Sequence, residues 1–335
     1  MSRRDVDALL AQLLEGRKLA AARLISLVED EAPGYRDLLA RLLPLTGEGY
    51  RVGVTGPPGA GKSSLLDEMV VGTRNRGLSV GVVAVDPSSP FTGGALLGDR
   101  IRMRKAAEDP DVFIRSLGSR GSLGGLSRQT EGVVDVLDAF GKERIFIETV
   151  GVGQSELDVI EPTYTTIVVL VPESGDGIQT MKAGLMEIGD LFVVNKADRE
   201  GADLLETELE TTLDARPALD GWRPRVLRTC ATRGEGVEAL LDAVEEHRAF
   251  LMREGRLSLR RREILMRRLR AAVEDRLTAA AWAGGRRERA LEMSLAKLVS
   301  GQLSFETLVD TVLPLTLLEQ IEQGQVSDAQ GDERR

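Results

Sequence analysis

The chain has 335 residues, 42% hydrophobic and 29% charged, the balance of a soluble globular protein large enough for one main core with smaller pieces attached. A net charge of −9 argues against non-specific nucleic-acid binding as its main task, and a single cysteine, Cys230, excludes an intramolecular disulfide and fits a reducing compartment. With one histidine, His247, there are too few soft ligands for an all-protein zinc or transition-metal site.

The N-terminal stretch carries Asp5, Asp7 and Glu15 with no long apolar run, so it does not read as a secretory signal; "TTIVVLV" is too short to span a bilayer. A cytoplasmic protein without membrane attachment is expected. Residues 1–47 read as a helical segment: Val6, Leu9, Leu10, Leu13 and Leu14 recur at helical spacing, as do Leu38, Leu39, Leu42 and Leu43. "APGY" and "PLTGEG" break the pattern.

From Tyr50 the texture changes. Short β-rich runs, "RVGVT" (51–55), "SVGVVAV" (79–85), "DVFIRS" (111–116), "RIFIET" (144–149), "TIVVLV" (166–171), "LFVVNK" (191–196) and "RVLRT" (225–229), alternate with helical stretches such as 63–76 and 130–140. Several runs are continuously apolar, as expected of strands covered on both faces of a parallel sheet. The fold class is therefore α/β: a doubly wound, mostly parallel sheet, with its domain at 48–255. Beyond Phe250 the strands stop. An Arg-, Leu- and Ala-rich helical arm over 256–325 carries Leu265, Leu269, Val273 and Leu277 at four-residue steps, and a polar tail, 326–335, is expected to fray.

The most informative stretch is "RVGVTGPPGAGKSSLLDEM". Gly56, Gly61, Lys62 and Ser63 fit G-x-x-x-x-G-K-[ST], between a strand and a helix as that motif requires. Gly56, Pro57, Pro58, Gly59, Ala60 and Gly61, with Lys62, Ser63 and Ser64 opening the helix, are expected to line nucleotide phosphates. The glycines let successive backbone N–H groups curl inward, and the prolines stiffen the loop between them. Lys62 places a charge against the β- and γ-phosphates, the Ser63 hydroxyl ligates Mg²⁺, and the helix adds its positive N-terminal end.

The base is read elsewhere. "NKAD" places Asn195, Lys196 and Asp198 at the end of an apolar strand. A carboxylate at Asp198 accepts from both N1–H and the exocyclic amine of guanine, a donor pair that adenine lacks, and the Lys196 stem covers a base face. "TCATRGEG" follows the last strand and offers the Cys230–Ala231 backbone to guanine O6, with Thr232 in the same loop. Glu148 ends another buried strand with Gly151 three residues on, suiting a magnesium-shell acid and an N–H that senses the γ-phosphate. Asp86, closing "VVAVD", is a second strand-end acid, and Asp99 in "GDR" a third candidate on a long loop. His247 is expected to be structural, and Cys230 a small buried residue rather than a nucleophile.

In combination, "GPPGAGKSS", "VDPSSPFTGGALLGDRIRM", "SRGSLGGLS", "ETVGVGQSE", "GDGIQTMKAGLMEIGD" and "NKAD" resemble the MeaB/ArgK family of P-loop GTPases, over about residues 35–320. The resemblance implies a Mg²⁺-dependent GTPase that binds GTP or GDP and attends a cobalamin-dependent acyl-CoA mutase of the methylmalonyl-CoA or isobutyryl-CoA type, gating cobalamin loading and release. It implies a homodimer built through the C-terminal arm. Asp86, Asp99 and Glu148 match the acids around magnesium and the γ-phosphate. Asp176, Gln179 and Lys182 match a mobile segment that responds to nucleotide state or to the mutase, and Lys182 is counted with Lys62, Asp86, Asp99 and Glu148 among the expected catalytic residues. Asp198 matches the guanine reader, and Cys230–Thr232 the base loop, where "TCAT" departs from the usual serine-containing pattern. Two rival readings are a kinase tied to basic amino-acid transport and a metal-insertion GTPase. The first has no use for a guanine reader, and the second wants Cys and His ligands beyond the one of each present. A binding module without hydrolysis is the third.

Overall fold

The computed structural model describes residues 3–86, 108–118, 123–149, 162–172, 185–215 and 221–312. By internal contacts the chain divides into two compact units, Met1–Ile264 and Leu265–Arg335.

Three helices open the first unit: α1 (Arg3–Leu14), α2 (Lys18–Glu29) and α3 (Tyr35–Leu42). The sheet that follows has the order β3-β2-β4-β1-β5-β6-β7, with every pairing parallel. Its strands are β1 (Tyr50–Thr55), β2 (Val80–Asp86), β3 (Val112–Gly118), β4 (Arg144–Thr149), β5 (Thr165–Leu170), β6 (Leu191–Asn195) and β7 (Arg225–Thr229). Each lies within a residue or two of its apolar run in the sequence. Between and after them come α4 (Lys62–Asn75), α5 (Leu123–Ala139), α6 (Leu185–Ile188), α7 (Ala202–Asp214) and α8 (Val237–Met252).

The strand period of two sorts side chains between layers. On one face Val52, Val54, Val80, Val82, Phe146, Ile167, Val169, Leu191 and Val193 pack with residues of α4 and α8. On the other, Val83, Val85, Ile145 and Ile147 meet α5 and the N-terminal helices, while Val168, Leu170, Phe192 and Val194 meet α7. Each fully buried aliphatic side chain contributes roughly 1.5–3 kcal/mol. The N-terminal helices are thus part of the core layer: Val6, Leu9, Leu10, Leu13, Leu38 and Leu42 are buried, whereas Leu14 and Leu43 of the same repeats face out. Lys18 Nζ donates to the Val112 carbonyl at 3.1 Å, and Arg115 pairs with Glu29, tying α2 to β3.

Beneath the sheet, at the strand N-termini, buried polar groups are gathered into paired clusters. Arg51 reaches Asp135 and Asp138 of α5 at 3.0 Å each. Asp138 also accepts from the backbone N–H groups of Gly47 and Gly49, so its charge is shared among donors as a buried carboxylate requires.

The second helical part begins with α9 (Arg256–Trp282), followed by α10 (Arg286–Val299) and α11 (Phe305–Val312). Arg260 and Ile264 of α9 belong to the first unit: Arg260 pairs with Asp190 at 3.2 Å, and Ile264 joins the core. Further along α9, Leu269, Val273 and Leu277 are all exposed. Among the described residues no helix is long and apolar enough to cross a membrane.

His247 lies in this lower layer. Its Nδ1 shares a hydrogen bond with the Thr165 hydroxyl at 2.8 Å, its ring packs on Trp222 at 4.5 Å, and Nε2 faces Asp190 at 3.6 Å with Arg260 beyond. Burial, opposed by Asp190 and assisted by Arg260, pushes its pKa down to about 4. The unfolded chain then binds the proton more readily than the native one between about pH 6.5 and 4, so this stability is complete above pH 6.5 and is lost as the pH falls. By pH 5 the loss reaches about 2 kcal/mol. Urea denaturation at pH 7 and pH 5 is expected to show a smaller pH penalty for His247→Gln than for the parent protein; an equal penalty would place the titration elsewhere.

Candidate nucleotide site

Because every strand runs the same way, the C-terminal ends of β1, β4, β6 and β7 open on one edge of the sheet. Residues far apart in sequence converge there. β1 leads directly into the glycine-rich loop, and α4 starts at Lys62. The loop's two motif glycines are sterically required. Gly56 has φ 138°, and a Cβ on it would lie 2.0 Å from the Val169 carbonyl oxygen. Gly61 has φ 84°, and a Cβ there would lie 2.5 Å from Asn195 Nδ2.

Lys62 is buried, with Nζ donating to the carbonyls of Gly56 at 2.6 Å and Pro57 at 3.0 Å. The ammonium is thereby held over the inside of the loop. Ser63, next in the helix, donates its hydroxyl hydrogen to Glu148 Oε1 at 2.6 Å. Glu148 is itself buried at the end of β4 and paired in register with Val54 on one side and Ala84 on the other. Asp86 closes β2 two residues beyond Ala84, which puts its backbone on the same edge. A hydroxyl and a carboxylate oxygen in direct contact at a phosphate loop form a hard-oxygen donor set, the kind that suits Mg²⁺ and not a softer metal.

Asn195 closes β6 and braces the segments around it. It is buried, its Nδ2 donates to the Ala60 carbonyl at 2.8 Å, and its Oδ1 accepts from the Thr229 hydroxyl at 3.0 Å and the Ala231 N–H at 3.2 Å. One amide therefore joins the phosphate loop, the end of β7 and the base loop. Lys196 follows with φ 56°, a left-handed backbone uncommon outside glycine, fixed on either side by the bonds Ala197 N–H to Thr229 O and Arg199 N–H to Lys196 O, both 3.0 Å.

Asp198 is exposed beside the loop after β7. The Cys230 thiol donates to its Oδ1 at 3.3 Å, and Arg233 faces its Oδ2 at 3.4 Å. The Cys230 hydrogen bond first, then a backbone N–H, and the Arg233 and Arg199 charges hold this carboxyl below the usual carboxylate range. Cys230 is buried, as its size suggested, and is bonded into the base loop. Ala231 and Thr232 form a short 3₁₀ turn behind it. Asp99, Gly151 and Lys182, with Asp176 and Gln179, lie outside the described residues. Thr229 and Arg233 were not singled out in the sequence; their only signal is position beside the base motif.

A parallel sheet with a glycine-rich loop between β1 and α4, and base-motif residues at the ends of β6 and β7, defines a P-loop nucleotide-binding protein. The family model described as "Methylmalonyl Co-A mutase-associated GTPase MeaB" matches residues 21–286. The chain belongs to that family and is a GTPase. A Pyrococcus abyssi protein named as a GTPase is 51% identical over 271 residues, 80% of this chain and 84% of that one. GTPase ArgK of Escherichia coli is 35% identical over 88% of this chain and 92% of its own, and the mouse methylmalonic aciduria type A homolog, mitochondrial, is 36% identical over 77% and 66%. Among solved structures, one described as LAO/AO transport system kinase superposes with a TM-score of 0.73 at 28% identity, covering 97% of this chain and 99% of that one.

The bracing role of Asn195 has a measurable consequence. Asn195→Ala removes three hydrogen bonds and leaves the Ala60 carbonyl without this partner, so urea denaturation of the nucleotide-free protein is expected to show a loss of roughly 2–4 kcal/mol. GDP affinity falls with it. Unchanged stability would show that the amide does not brace the loop.

Proposed function

We propose that this GTPase is a nucleotide-dependent switch that attends a cobalamin-dependent acyl-CoA mutase of the methylmalonyl-CoA or isobutyryl-CoA type, gating the loading and release of cobalamin. The observation that carries the nucleotide part is the convergence of the Gly56–Gly61 loop, Lys62, the Ser63–Glu148 pair and Asp198 on one sheet edge. The mutase part rests on membership of a family defined by its association with that enzyme.

In this reading the amides of the loop and Ser64 surround the phosphates, and Lys62 supplies its ammonium to the β- and γ-phosphate oxygens. Ser63 and Glu148 would hold Mg²⁺, with Asp86 and Asp99 as further acids of its shell; the ion would contribute neutralisation of phosphate charge. Gly151 and Lys182 are assigned to sensing and stabilising the γ-phosphate. Asp198 reads guanine, Lys196 covers the base face, and Cys230, Ala231 and Thr232 flank its O6 edge. Little covalent chemistry is asked of the protein, because phosphoryl transfer depends on positioning and on charge placed in advance.

The switch itself requires that the partner bind the GTP and GDP forms with different affinity, since a ligand without such a difference shifts nothing. Homodimerisation through the arm is supported by the apolar positions Leu269, Val273 and Leu277, exposed along one side of α9. A cytoplasmic location completes the proposal.

Calorimetry is expected to give GTP and GDP binding that weakens on chelation of Mg²⁺ and no comparable ATP binding. Co-purification with candidate mutases is expected to differ between GDP and a non-hydrolysable GTP analogue, and hydrolysis to accelerate with the true client. A hydrolysis rate insensitive to every cobalamin mutase tested would overturn the partner assignment while leaving the GTPase intact.

A further inference from the structure

Arg233 stands in the loop after β7 with three groups around its guanidinium. Nε donates to Cys230 Sγ at 3.2 Å and lies 3.4 Å from Glu235 Oε1, while a terminal nitrogen is 3.4 Å from Asp198 Oδ2. The Cys230 thiol meanwhile donates to the other oxygen, Oδ1. The Asp198 carboxylate is therefore approached at both oxygens from the protein side. Its remaining lone pairs are the ones available to a base, because a carboxylate offers about four acceptor sites.

This arrangement bears on a specific requirement. Guanine presents N1–H and the exocyclic amine side by side, and a carboxylate meets both only when its plane is fixed. Asp198 is exposed, so packing alone does not fix it. The loop geometry supplies the restraint from below: the Cys230 N–H bonds to the Glu235 carbonyl at 3.0 Å, closing the loop into an antiparallel bridge that holds Arg233 across the thiol and the carboxylate.

We infer that Arg233 is a specificity-determining residue, acting through Asp198 by holding that carboxylate in the orientation that receives both guanine donors. The inference rests on the assignment of Asp198 as the guanine reader. It differs from a stabilising role. Arg233 and Asp198 are 51% and 43% exposed, and ion pairs that exposed contribute little to folding. Discrimination against a base lacking the second donor is where the restraint acts.

The test compares affinities of the full-length protein for GTP and for inosine triphosphate, whose base keeps N1–H but lacks the exocyclic amine. Arg233→Ala is expected to reduce the GTP-over-inosine preference by about three- to five-fold, the upper range for an exposed ion pair, with the melting temperature unchanged. Arg233→Lys, which keeps the charge but not the flat donor array, is expected to recover only part of the preference. Equal losses for both nucleotides, a gain in GTP affinity, or no change would each overturn the inference. Asp198→Asn separates it from the reading beneath: an amide offers one acceptor and one donor, matching N1–H and the C2 carbonyl of xanthine, so this variant is expected to favour xanthosine triphosphate. If it does not, the guanine assignment fails and the role of Arg233 fails with it. If it does while the Arg233 variants leave the inosine ratio untouched, only the role of Arg233 fails.

Discussion

Parallel pairing of the strands is the constraint on which the rest depends. Strands that all run one way cannot be joined by tight turns, so each must be followed by a crossover, and the helices fall on both faces. That leaves the strands covered on both sides, which is why Val80–Val85, Ile167–Leu170 and Leu191–Val194 read as unbroken apolar runs. It also sends every strand's C-terminal end to one edge. The groups proposed to act on phosphate, metal and base are neighbours because of a shared direction of travel, although Ala60 of the loop and Asn195 of the base motif are 135 residues apart in sequence.

At that edge the polar groups are held by one another before any ligand arrives. Lys62 is drawn over its own loop by two carbonyls, Ser63 by Glu148, and Asn195 by three partners in three segments. A site assembled this way has already met much of the ordering cost of binding. The restraint is weakest at Asp198, which is exposed and held by a backbone N–H and the loop side chains of Cys230 and Arg233. In the proposed reading, base recognition there depends on side-chain contacts more than phosphate recognition does.

The opposite edge serves stability. Arg51 with Asp135 and Asp138, and His247 with Thr165, Asp190 and Trp222, bury polar groups in partnered clusters at the strand N-termini. Removing one member of such a cluster costs about 3–5 kcal/mol when a charge is left alone, so these residues resist change for reasons unrelated to nucleotide chemistry. The division of labour follows from strand polarity: one edge is left open to a ligand, the other is closed by α5, α8 and the start of α9.

What the sequence determined by itself was the set of local patterns. Largely continuous apolar runs marked the strands to within a residue or two, because burial on both faces of a sheet leaves few polar positions to blur the signal, whereas helix bounds were looser: α5 begins at Leu123, well ahead of the stretch 130–140 read from the sequence. The spacing of Gly56, Gly61, Lys62 and Ser63 was legible because the loop's chemistry lies within eight consecutive residues. Tertiary structure alone decided which distant groups meet. That Ser63 touches Glu148, that the Asn195 amide braces the phosphate loop, and that Arg233 lies against Asp198 all depend on strand order and loop closure. It also decided that α1 to α3 belong to the core layer, with Leu14 and Leu43 turned outward. Such pairings are set by the register of strands separated by many residues, and no period within a single segment encodes that register.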